Sequence, residues 1–88
     1  MTTPADNHAA IEAAENLRQA ADARLTQAIL AYFRAQKSQE VKLGNKASQE
    51  TKKAAWDLLE AQHAPIIQAI RAEVRKAEND ILALRSQP

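Results

Sequence analysis

The chain has no cysteine, a single glycine and only three aromatic side chains, Tyr32, Phe33 and Trp56, among its 88 residues. Without thiols there are no disulfides, no zinc–thiolate centres and no thiol nucleophiles. One glycine cannot supply a glycine-rich loop that wraps a phosphate. Alanine contributes 20 residues, half of the 45% that are apolar. So few bulky side chains cannot enclose a thick globular core, at a length where one core is only marginally sufficient. No apolar run reaches the length of a membrane span. The stretch Met1–Asp6 has neither the basic nor the apolar part of a secretory signal. The expectation is a soluble, cytoplasmic protein that does not engage a membrane.

What is abundant favours helix. Alanine has the highest helix propensity and lets helix backbones approach closely. Thr3-Pro4-Ala5-Asp6 reads as a helix start, with a capping hydroxyl, proline at the first helical position and an acid in the first turn. Apolar positions then advance by threes and fours through Ile11, Ala14, Leu17, Ala21, Leu25, Ala28, Tyr32 and Ala35, a heptad-like stripe. The lone glycine lies near the midpoint in Leu43-Gly44-Asn45, where a left-handed residue can close a helix. Beyond it Ser48 or Asn45 can cap a second helix, whose stripe runs Ala55, Leu58/Leu59, Ile66, Ile70, Val74, Ala77, Ile81 and Leu84. Pro65 interrupts that pattern, which predicts a kink or short break around 62–65.

The predicted fold is therefore all-α: one domain over 1–88, a long antiparallel helical hairpin. A helix covers about 4–42, a bend about 43–47, and a second helix about 48–85, kinked near Pro65. With the bend centred on residues 45 and 46, Leu17 faces Val74, Ala21 faces Ile70, Leu25 faces Ile66 and Tyr32 faces Leu59. If Pro65 is instead a true break, the chain folds as a three-helix bundle. A hairpin buries one seam only, leaving Ile29, Leu30, Phe33, Leu58, Ile67 and Leu82 partly in water. Self-association into a dimeric four-helix bundle covers them, and docking on a foreign protein is the alternative. Ile29, Leu30, Phe33, Trp56, Leu58 and Ile67 are the protein-interface candidates.

Net charge is only +1, so no bulk field draws the chain to nucleic acid. The distribution is uneven. From Arg34 to Lys53, six basic residues oppose Glu40 and Glu50, so the bend end is basic and the end carrying both termini acidic. Lys42, Lys46, Lys52 and Lys53 are the nucleic-acid candidates, contacting phosphates from the tip. The mixed charges Arg71, Glu73, Arg75, Lys76, Glu78 and Asp80 read as a solvated exterior.

Candidate chemistry is thin. Glu60 and His63 have the Glu-x-x-His spacing of di-iron helical bundles, but Ala28 and Ala31 face them, with no acid nearby on the first helix. An ordinary polar role is preferred for His63, bonding a carbonyl freed by Pro65. Serines fall near predicted helix ends without a base beside them, and no apolar pocket is in view to raise a carboxylate's pKa. The expectation is a non-enzymatic protein without metal or cofactor. It is read as a protein-binding module, that is an adaptor, inhibitor or assembly factor. The alternatives are a nucleic-acid-binding hairpin dimer and a structural assembly component.

Overall fold

The computed structural model describes residues 4–87, with side chains from residue 7 onward. The predicted Thr3 cap and the side chains of Pro4 and Asp6 lie outside the described residues. Helix α1 runs Pro4–Leu43 and helix α2 runs Gln49–Arg85. They pack antiparallel as a hairpin 66 Å long and 16 × 13 Å in cross-section.

The turn forms where its chemistry dictates. Gly44 has φ +66° and its N–H donates to the Glu40 carbonyl at 3.1 Å, satisfying one of the carbonyls that every helix end leaves open. Four residues on, the Ser48 hydroxyl accepts from the Thr51 backbone N–H at 3.1 Å, which makes Ser48, and not Asn45, the cap of α2. Lys42 sits in the last turn of α1 and Glu50 in the first turn of α2, each against the dipole end of opposite sign.

Between the helices lies a thin seam. Among the described residues six are buried there: Ala14 and Ala21 from α1, and Leu59, Ile67, Ala77 and Ile81 from α2. Three are alanines, so close backbone approach, more than bulk, fills the interface. Within the seam Tyr32 stacks on His63, with ring centroids 5.2 Å apart and planes at 30°.

Several expectations need correction. Leu17 is not in the seam but 67% exposed. Steps of three and four lead from Ala14 to Ala21 through either residue 17 or residue 18, and the packing selects Arg18. Its aliphatic stem lies half-buried over the seam, while its guanidinium reaches Asp22 at 3.5 Å. Likewise Ile67, expected on the surface, is 8% exposed, whereas Ile66, expected inside, is 54% exposed. The inward positions of α2 run Trp56, Leu59, His63, Ile67 and Ile70, with two successive steps of four around Pro65. Such a stutter shifts the phase of the stripe by one residue and locally unwinds a coiled coil.

The pairing register also differs. Tyr32 meets His63, not Leu59, Arg24 meets Glu73 at 2.6 Å, and Glu15 meets Arg85 at 2.7 Å. Partners on α2 thus lie four, six and nine residues farther along the chain than a bend centred on 45 and 46 implies, an offset that grows from about one helical turn to more than two with distance from the bend. Helical side chains lean toward their own N-terminus. In an antiparallel pair the two leans add, so the residues that touch have higher numbers than the backbones that face each other.

Helix α2 continues without interruption through Pro65, so there is no break there and no third helix among the described residues. Pro65 and Ala61 both face solvent. The Ala61 carbonyl, which proline cannot serve, therefore opens to water and not into the seam.

Candidate functional site

The interface candidates do not share one face. Ile29 and Phe33 border a groove along one flank of the seam, with Tyr32, Glu60, Ala64, Ile67, Gln68 and Arg71 as its other walls. Phe33 is largely exposed there, Ile29 half-buried, and Ile67 forms the buried floor. Leu58 is exposed but, at 100° per residue, sits about 160° around α2 from Glu60, on the opposite flank. Ile66 lies on that flank too. Leu30 is about 160° around α1 from Tyr32 and points away from α2 altogether. Leu17, Val41, Ile66 and Leu82 are large exposed apolar residues outside the candidate set. The sequence already leaves Leu82 partly in water, whereas for Leu17 and Ile66 it offers a choice between adjacent seam positions that only packing resolves.

Trp56 is half-buried and closes the tip together with Leu43, Gly44, Asn45, Glu40 and Lys52. It anchors the turn and offers little of its ring to a partner. The basic candidates are unequal. Lys42 and Lys46 are exposed, Lys52 is half-buried beside Trp56, and Lys53 is bound to Asp57 at 2.8 Å. That hydrogen bond, then the Asp57 charge, raises the Lys53 pKa above its ordinary value. The Lys53 ammonium is therefore paired within its own helix at neutral pH, and its charge is lost as pH rises through that elevated pKa. Two free lysines and one shielded one leave the tip less basic than a count of residues implies.

His63 turns into the seam against Tyr32 and does not bond a freed carbonyl; Glu60 faces outward at the groove. Among the described residues no group of three His, Cys, Asp or Glu side chains stands close enough to hold a metal ion. No helix of the described chain is long and apolar enough to cross a membrane.

Comparison with protein-family models, with curated proteins and with solved structures returns no match to this chain. Its function must be argued from its own surfaces.

Proposed function

We propose that this hairpin is a non-enzymatic protein-binding module, an adaptor, inhibitor or assembly factor that works in the cytoplasm by docking exposed apolar side chains on a target protein. One observation carries the reading. Half of the buried seam is alanine, while seven large apolar residues, Leu17, Leu30, Phe33, Val41, Leu58, Ile66 and Leu82, stand exposed on the two helices. Burying each of them would stabilise by roughly 1.5–3 kcal/mol, so this surface has much to gain from a covering partner. Displayed on a rigid rod, they supply what helix-in-groove recognition uses.

The test is capture by tagged protein from source-cell lysate, with and without nuclease and at low and high salt. Apolar docking predicts one protein retained at near-equal stoichiometry through nuclease and high salt, and lost with Leu58→Asp and Ile66→Asp. Nucleic acid that is released by salt and abolished by Lys42→Ala with Lys46→Ala would overturn the reading, because phosphate contacts weaken steeply with ionic strength.

A further inference from the structure

The surface is too large for the mass. A compact protein of 9.7 kDa exposes about 5,100 Å², and this hairpin exposes 6718 Å². The excess, on the order of 1,600 Å² per chain, is more than the ~800 Å² each partner contributes to a standard interface.

The flank bordered by Ile29 and Phe33 has a further property. Glu60 and Arg71 stand at opposite ends of its α2 edge, exposed, and neither has an ion partner among the described residues. The ion pairs among the described residues lie elsewhere: Arg18–Asp22, Arg24–Glu73, Lys53–Asp57 and Arg85–Glu15. Eleven residues apart, Glu60 and Arg71 fall within about 20° of each other around the helix and roughly 16 Å apart along it. They cannot reach one another. A face with an unpaired acid at one end and an unpaired base at the other is complementary to itself turned end for end.

We propose that a second copy of this chain covers this flank, related by a two-fold axis perpendicular to the helices at the level of Pro65. Helix α2 then lies antiparallel on the partner's α2, with Glu60 on the partner's Arg71, Ala64 beside the partner's Gln68, and the reciprocal pairs completed by symmetry. The same axis stacks the α1 helices and brings Ile29 onto the partner's Phe33. That one axis pairs both the charges and the apolar residues is the reason for choosing a copy of the chain as the occupant. A two-fold axis along the helices would set Glu60 against α1 of the partner and leave Arg71 unmatched. Leu58 and Ile66 stay on the opposite flank, free for a target protein, so dimerisation and target docking use separate surfaces.

The experiment is molar mass by light scattering and sedimentation equilibrium over micromolar concentrations. The samples are the native chain, Glu60→Arg, Arg71→Glu, the double exchange, and an equimolar mixture of the two single variants. Both residues are exposed and unbonded, so all variants should keep native helix content by circular dichroism. The native chain and the double exchange are expected at twice 9.7 kDa. Each single variant sets like charges together twice per dimer and should dissociate at least tenfold more readily. The mixture should form the heterodimer, in which both contacts are again of opposite sign. A monomeric native chain, or a dimer indifferent to all these exchanges, overturns the proposal. Leu58→Asp must leave the doubled mass intact while abolishing target capture; if it dissociates the dimer, the face is wrongly assigned.

Discussion

At position 44 a side chain would meet strain but no neighbour: φ is +66° and nothing lies within 4 Å of where a Cβ would stand. Gly44→Ala should therefore cost about 1 kcal/mol, from the left-handed backbone alone. Gly44→Asn should cost less, because Asn tolerates that region. Urea denaturation of both variants checks the order, and equal losses would show that contacts, not backbone strain, set the penalty. The adjacent isoleucines give a sharper residue-scale prediction. Ile67→Ala removes buried bulk from the seam and should cost about 2–4 kcal/mol, whereas Ile66→Ala, at a solvent-facing position, should cost under about 1 kcal/mol. The sequence assigns these two the other way round. Both are isoleucine, both lie near the stripe, and nothing local tells them apart.

At the scale of the element, α2 carries a proline in its interior without a break. Pro65→Ala restores the N–H that would bond the Ala61 carbonyl and should stabilise the fold by up to about 3 kcal/mol. A higher Tm on thermal unfolding is the expected result; a fall would mean that Pro65 sets a bend on which the seam depends. The cross-helix ion pairs Arg24–Glu73 and Arg85–Glu15 are more than one-third exposed on both sides. Such pairs contribute at most about 1 kcal/mol each and are screened by salt. They fix register more than they stabilise. The existence and type of both helices are legible in the sequence, because alanine content favours helix along both segments and Gly44 acts locally at the turn. The phase of each apolar stripe is not, since Leu17 and Arg18, or Ile66 and Ile67, satisfy the same step rule.

At the scale of the molecule, the radius of gyration is 19.7 Å, against about 12 Å for a compact chain of this length. The proposed side-by-side dimer makes a distinctive prediction for small-angle scattering. Mass should double while the radius of gyration grows by only about 0.5 Å, because stacked helices sit 8–10 Å apart. Association through the tips would lengthen the particle well beyond that. The hairpin itself follows from the sequence alone: two long helix-forming segments, one residue suited to a left-handed turn at the midpoint, and too few bulky side chains for any thicker core. The register, the identity of the buried isoleucine and the division of the surface into two flanks were decided only by the tertiary structure. Those features depend on how leaning side chains interlock across the seam and on a phase shift of one residue near Pro65. Neither is a property of any segment taken by itself.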